Sequence, residues 1–138
     1  MSSPVVVDTS VAYKWVRSAD EESVPEALAL LDAHSDGTLL LTAPALLPVE
    51  LANALRYSGL DEADMVALAE EFDAFGIELI EADSRRIARA VRLALRHRLS
   101  VYDALFLQLA EELGCPLVTA DRRAFAGLSE CGVRVQLL

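Results

Sequence analysis

Pro4-Val5-Val6-Val7-Asp8-Thr9-Ser10 is the stretch on which the fold turns. Four residues with no polar member read as a strand buried on both faces, and Asp8 stands at its carboxyl end. Thr9 or Ser10 can then cap a helix reaching Arg17. The same pattern recurs along the chain. Leu39 to Thr42 reads as a second short strand closed by Pro44, and Ile77 to Ile80 as a third. Leu117 to Ala120 is the fourth, ended by Asp121, and Val133 to Leu137 the fifth. Unalternated strands separated by helices predict an α/β chain with a mainly parallel sheet covered on both faces. Such sheets bind ligands beyond the carboxyl ends of their strands, where the strand order switches. If the first and fourth strands are neighbours, Asp8 and Asp121 meet at that point.

The intervening helices carry their own punctuation. One starts near Ser23 with Pro25 in its first turn, turns Val24, Ala27, Leu28 and Leu31 inward, and stops at Gly37. The next runs from Leu46 to Tyr57 and ends at Gly59. Its Leu47, Leu51, Ala54 and Leu55 share a face, with Glu50 at the edge of that face. Asp61 can cap a helix running through Met65, Leu68, Ala69 and Phe72 to Gly76. Asp83 caps another, to about Arg96, whose expected core side is Ile87, Ala88, Val91 and Leu95. Ser100 caps the helix that carries Asp103, and Gly114 ends it. Trp15 and Phe106 read as core.

At 138 residues the chain suits one domain, 1–138, able to bury roughly two-thirds of the surface its unfolded form exposes. An apolar fraction of 54% argues against disorder. The longest apolar stretch, Leu39 to Leu55, is broken by Pro44, Pro48 and Glu50, so no membrane span is expected. Met1-Ser2-Ser3-Pro4 lacks the basic region of an export signal. Cys115 and Cys131 form no CxxC pair and read as reduced thiols, so the expected location is the cytoplasm. The net charge of −10 runs against nucleic-acid binding, because proteins that grip phosphates are usually basic.

Asp8, Glu50, Asp103 and Asp121 all abut apolar segments. A buried, unpaired carboxylate is costly, so such a set must be hydrogen-bonded, protonated or holding a cation. Each has a plainer explanation. Ser100-x-x-Asp103 fits a capping box, Asp121 can cap the short helix to Phe125, Asp8 can end a strand in a turn, and Glu50 can be a half-exposed helix residue. Taken together they favour a cation, since strand-end placement gathers two of them and a helix amino terminus aimed at the same edge adds Asp103. Ser10 and Thr119 offer hydroxyls at that edge, either to orient carboxylates or a metal-bound water, or merely as a cap and a strand residue.

Among the basic residues, Arg85, Arg89, Arg92 and Arg96 form one stripe opposite Ile87, Val91 and Leu95, which reads as a solvated outer face. Arg122 and Arg123 beside Asp121, together with Lys14, Arg17 and Arg56, are the better phosphate-binding candidates. His34 and His97 lie near helix carboxyl ends and are assigned no chemistry. No P-loop, GxGxxG or nucleophile triad is present.

Val6-Val7-Asp8-Thr9-Ser10, Glu50 followed by Asn53, Tyr102-Asp103-Ala104 and Thr119-Ala120-Asp121 together resemble the PIN-domain family. In length and whole-chain layout the sequence is similar to the VapC-type toxins of toxin–antitoxin pairs. The resemblance implies a three-layer α/β/α fold with the sheet in the order 3-2-1-4-5. It also implies an endoribonuclease that uses Mg²⁺ or Mn²⁺ at Asp8, Glu50, Asp103 and Asp121. One ion, or two roughly 3.5–4 Å apart, would acidify a bound water and neutralise charge on phosphorus. Asp8, Asp103 and Asp121 would be direct or water-mediated ligands, and Glu50 would hold a second ion or orient the water. Implied partners are RNA, a second copy of the chain, and a small antitoxin whose basic C-terminal segment covers the site. Two rivals stay open: a metal-dependent phosphatase-like enzyme, which would favour a DxD pair where this chain has Asp8-Thr9-Ser10, and a non-catalytic binding module.

Overall fold

The computed structural model of the chain describes residues 2–126, 128 and 131–138. Five strands, β1 (Ser3–Val7), β2 (Leu39–Pro44), β3 (Glu78–Ile80), β4 (Leu117–Thr119) and β5 (Val135–Leu137), form one sheet in the order β3-β2-β1-β4-β5. Every neighbouring pair is parallel. Helices α1 (Thr9–Val16), α2 (Val24–Ser35), α3 (Leu47–Leu55), α4 (Glu62–Glu71), α5 (Ser84–His97), α6 (Val101–Leu113) and α7 (Arg122–Phe125) connect and cover the strands. The three-layer expectation and its strand order hold. Chain order runs outward from β1 to β2 and β3 on one side, then returns to β4 and β5 on the other. The switch point therefore falls between β1 and β4, where Val7 pairs with Val118.

Val5, Val6 and Val7 of β1 are buried, as expected for a central strand, and so are Leu117, Val118 and Thr119. The helix α6 lies across β1, β2 and β4 and is itself overlaid by α5. That double cover buries Phe106, Leu107, Leu109 and Ala110 on successive positions around its axis. Pro44 is the last residue of β2 rather than a stop beyond it, which costs nothing because an end position can do without the missing N–H. The helix expected from Asp61 to Gly76 is instead α4 followed by a 3₁₀ turn, Phe72–Phe75. Within α4 no residue is buried, so its apolar period reports a peripheral helix. Burial begins at Phe72, and Gly76 closes the turn at φ +67°, a left-handed value glycine adopts without strain.

His34 holds this region together. Its Nδ1 accepts from the Leu41 amide at 3.0 Å, so the proton sits on Nε2, which donates to the Gly76 carbonyl at 3.0 Å. One ring thus ties α2 to β2 and to the end of the 3₁₀ turn.

The expected core side of α5 is wrong. Leu95 is 80% exposed and Ile87 and Val91 also face outward, while Ala90, Leu93 and Ala94 are buried. The cause is what α5 packs against. It lies on α6, whose outer surface carries Glu111 and Glu112. Arg89 makes a fork-on-fork pair with Glu111, with Nε–Oε1 at 2.7 Å and Nη2–Oε2 at 2.8 Å. Arg86 holds Glu112 from Nε and Nη2 at 3.1–3.2 Å. Small Ala90 and Ala94 let the helices approach, and the side carrying Arg86, Ala90 and Leu93 becomes the inner one. Arg85, Arg92 and Arg96 remain exposed. Among the described residues no helix is long and apolar enough to cross a membrane, and Cys115 and Cys131 are free thiols.

Candidate metal centre

Four chain segments deliver the four carboxylates and their supports to the carboxyl edge of the sheet. Asp8 follows β1 and caps α1, its own carbonyl accepting from Val11 at 3.0 Å. Thr119 ends β4, and Asp121 caps α7 by accepting from the Arg123 and Ala124 amides at 3.1 and 3.0 Å. Glu50 lies in the first turn of α3 and Asp103 in the first turn of α6.

The Asp8 side chain is buried, 5% exposed. Its Oδ2 accepts from the Ser10 hydroxyl at 2.6 Å, the Thr119 hydroxyl at 3.0 Å and the Ser10 amide at 3.4 Å. Each hydroxyl has one proton and gives it to Asp8, and each then accepts from the backbone. Ser10 Oγ takes the Ala120 amide at 2.9 Å, and Thr119 Oγ1 takes the Asp121 amide at 3.0 Å. The Ser10–Thr119 contact at 3.3 Å is left without a proton of its own. This relay locks the turn after β4 to the start of α1 and fixes one oxygen of Asp8. Among the described residues, Oδ1 of Asp8 and Oδ2 of Asp121 accept no protein hydrogen bond.

Glu50 is half-buried, and its Oε1 accepts from the Thr9 hydroxyl at 2.8 Å. Thr9 was expected only as a cap. Its neighbourhood to Asp8 was the available signal that its hydroxyl faces the same edge. Asp103 has its amide capped by Ser100 Oγ at 3.0 Å, half of the expected capping box. The capping reading therefore holds for Asp121, and for Asp103 half of it does.

Electrostatics tie the four together. Burial pushes the Asp8 carboxyl above its ordinary range, against the pull of the Ser10 and Thr119 hydrogen bonds, and the charge on Asp121 adds to the rise. Burial likewise raises Glu50, opposed by Thr9 and reinforced by Asp8 and Asp103. Asp103 is raised by burial and then by Asp8, with a smaller push from Asp121. Like charges that raise one another are relieved by positive charge between them. An all-oxygen donor set with free carboxylate oxygens fits a hard cation such as Mg²⁺ or Mn²⁺. Among the described residues no three of the His, Cys, Asp and Glu side chains close tightly enough to grip one ion directly. Mg²⁺ usually keeps several waters and takes only one or two carboxylates, so the wider spacing suits it.

The basic candidates divide. Lys14 is buried, its ammonium held by Glu21 at 3.0 Å and by the Glu22 carbonyl, so it pins the loop after α1. Arg17 donates to the Ser58 carbonyl at 3.0 Å, and Arg122 to the Leu138 carbonyl at 3.2 Å. Arg56 lies over the exposed ring of Tyr57, 5.9 Å from its centre, and Arg123 is exposed. A cleft of about 500 Å³ is lined by Thr9, Ser10 and Ala120 together with Lys14, Asp20, Glu21 and Glu22.

The sequence matches the family model described as the PIN domain over residues 5–130. Several solved structures have the same fold. The DNA-bound VapBC from Salmonella typhimurium is 18% identical, covers 99% of this chain and 98% of its own, and superposes with a TM-score of 0.67. VapC20 of Mycobacterium tuberculosis, described as a sarcin–ricin loop cleaving toxin, is 16% identical over 94% of this chain and 98% of its own, with a TM-score of 0.68. FitAcB from Neisseria gonorrhoeae is 19% identical over 96% of each chain, at 0.65. No curated protein matches the sequence.

Proposed function

Because the chain belongs to the PIN-domain family, we propose that it is a divalent-metal-dependent endoribonuclease, the toxin of a toxin–antitoxin pair. The observation that carries this reading is the placement of Asp8, Glu50, Asp103 and Asp121 near the switch point, where burial and the charges of Asp8, Asp103 and Asp121 raise Asp8, Glu50 and Asp103. Asp8, Asp103 and Asp121 would hold Mg²⁺ or Mn²⁺, directly or through water. The bound ion supplies an acidified water and neutralises charge on the phosphate.

The chain's own groups do the rest. Ser10 and Thr119 are positioning residues that aim the free oxygen of Asp8 at the edge. Thr9 holds one oxygen of Glu50, whose raised proton affinity suits it to orient the attacking water and accept its proton. No histidine shares the site, so the base is a carboxylate. The phosphatase-like alternative lacks a second acid two residues after Asp8, where Ser10 stands hydrogen-bonded to it. A purely structural module leaves the mutual repulsion of the acids without a use. The test is cleavage of structured and single-stranded RNA by the purified chain with Mn²⁺, against Asp103→Asn. Cleavage that persists in that variant overturns the assignment.

The partner follows from charge. An acidic pocket on a chain of net charge −10 suits the Arg or Lys of a basic C-terminal antitoxin segment, which would satisfy the carboxylates in place of metal. The solved relatives include toxin–antitoxin complexes. Co-expression with the neighbouring small gene product should yield a stable complex; recovery of free chain only would remove the partner. The exposed ridge Ile87, Val91 and Leu95 on α5 supports homodimerisation, since apolar side chains aligned at one-turn spacing are left uncovered. A monomer in sedimentation, unaltered by Leu95→Glu, would refute that. The expected place of action is the cytoplasm, where RNA and antitoxin are met.

A further inference from the structure

Tyr102 has no role in the site described so far. It occupies the first turn of α6, next to Asp103, and is 62% exposed. Its place in the helix makes that exposure informative. Four and seven residues on, along the same stripe, come Phe106 and Leu109, both buried. The stripe that Tyr102 begins is thus a core stripe. It emerges from cover in the first turn, at Tyr102, and again in the last, at Leu113. Asp103 begins the adjacent stripe, continued by buried Leu107 and Ala110, and emerges at the same level. The helix therefore presents an acid and an aromatic ring side by side at the switch point. Among the described residues the Tyr102 hydroxyl makes no hydrogen bond and its ring packs on no other ring. A large, rigid, amphipathic ring left open beside a cluster of carboxylates fits a flat apolar ligand with charge nearby.

The geometry points to Tyr102 as a base-stacking residue, which receives an unpaired nucleobase of the RNA strand while the adjoining phosphodiester lies over the acids. This rests on the nuclease reading above and adds a substrate-positioning residue to it. Proteins that bind single strands combine cationic contacts to the backbone with aromatic faces, and the stacking part itself requires no positive charge because every base offers a π-face. That resolves a difficulty peculiar to this chain, whose net charge of −10 leaves little for phosphate contacts and whose Lys14, Arg17 and Arg122 are engaged within the protein. Exposed Arg98 stands in the turn just before α6, four residues from Tyr102. Stacking also gives specificity for unpaired segments, since a paired base has no free face to offer.

The experiment uses the full chain with Mn²⁺ and a short single-stranded RNA carrying 2-aminopurine, whose fluorescence falls when it stacks. Tyr102→Ala should raise KM about 5- to 150-fold, the span of one base–aromatic stack, with kcat held within about twofold. The fluorescence quench seen with the unaltered chain should be lost. Tyr102→Phe and Tyr102→Trp should keep both the KM and the quench, which a hydroxyl-dependent structural role would not. Equal melting temperatures for all variants establish that the fold is intact, as expected for an exposed position. Unchanged KM and quench in Tyr102→Ala, with the unaltered chain active, overturn the inference alone and leave the ring to a protein partner. An unaltered chain that neither binds nor cuts RNA overturns the nuclease reading and the inference with it.

Discussion

Replacing Thr119 by Val keeps the shape of a fully buried side chain and deletes one hydroxyl. That hydroxyl donates to Asp8 Oδ2 at 3.0 Å and accepts from the Asp121 amide at 3.0 Å. Loss of a hydrogen bond to a charged group costs about 1.5–3 kcal/mol, and an orphaned buried amide about 1–3 kcal/mol more. Together the change should destabilise the fold by about 3–5 kcal/mol. A chain of this length loses about 3.5 °C of melting temperature per kcal/mol, so a fall of about 10–17 °C is expected at neutral pH. The variant Thr119→Ser keeps both bonds and should lose only about 1 kcal/mol for the missing methyl. Asp8 is the partner, so the cost of Thr119→Val should shrink when Asp8→Asn is already present, in a double-mutant cycle followed by thermal melting. It should also shrink in acid, where Asp8 is protonated and needs fewer donors. A Thr119→Val protein melting within about 2 °C of the parent would refute the relay. So would a full cost retained in the Asp8→Asn background.

Three further outcomes follow from the same geometry. Asp103→Asn removes one of the mutually repelling charges while leaving its amide cap on Ser100 in place, so the metal-free protein should melt no lower than the parent, while Mn²⁺-dependent RNA cleavage disappears; a lower melting temperature with full cleavage would make Asp103 a cap and nothing more. Asp8, Glu50 and Asp103 are all raised in the folded chain, so their stability contribution is present in acid and lost as pH rises through the folded values. The lowered Glu111, Glu112, Asp36 and Asp83 act with the opposite sign and only below the ordinary carboxylate range. The metal-free melting temperature should therefore fall as pH rises above the ordinary carboxylate range of about 4, and Mn²⁺ should flatten that slope; a rise there counts against the repulsion. On α5, Leu93→Ala should cost about 2–5 kcal/mol in chemical denaturation and Leu95→Ala less than about 0.5 kcal/mol; the reverse order would restore the other face as the core.

Much of the site was legible because its signals are local. An apolar strand stopped by an acid, as at Val7-Asp8 and Thr119-Ala120-Asp121, fixes both the strand and the placement of the carboxylate at its end, whatever the rest of the chain does. Caps such as Asp61, Asp83 and Ser100 act within one turn and fall where expected, each accepting from the amide three residues on. The misreading of α5 has a different source. Periodicity tells which residues share a face, not which face meets protein, and here α5 meets the acidic back of α6 instead of the sheet. Buried Ala90 and Ala94 with bidentate arginines at the rim then outweigh the apolar pull of Ile87, Val91 and Leu95. Lys14 was mistaken for a surface cation because its partner is set by a loop closing back at Glu21 and Glu22. The hydroxyl relay from Asp8 through Ser10 and Thr119 spans more than a hundred residues of sequence and exists only because β1 and β4 lie side by side. Sequence by itself determined the five strands, several helix caps and the acids at the ends of β1 and β4, since these follow from short-range hydrogen bonding and burial. Tertiary structure alone decided which faces are covered, which oxygens stay free and which aromatic ring is left open. These depend on what each surface is packed against, and no run of neighbouring residues records that.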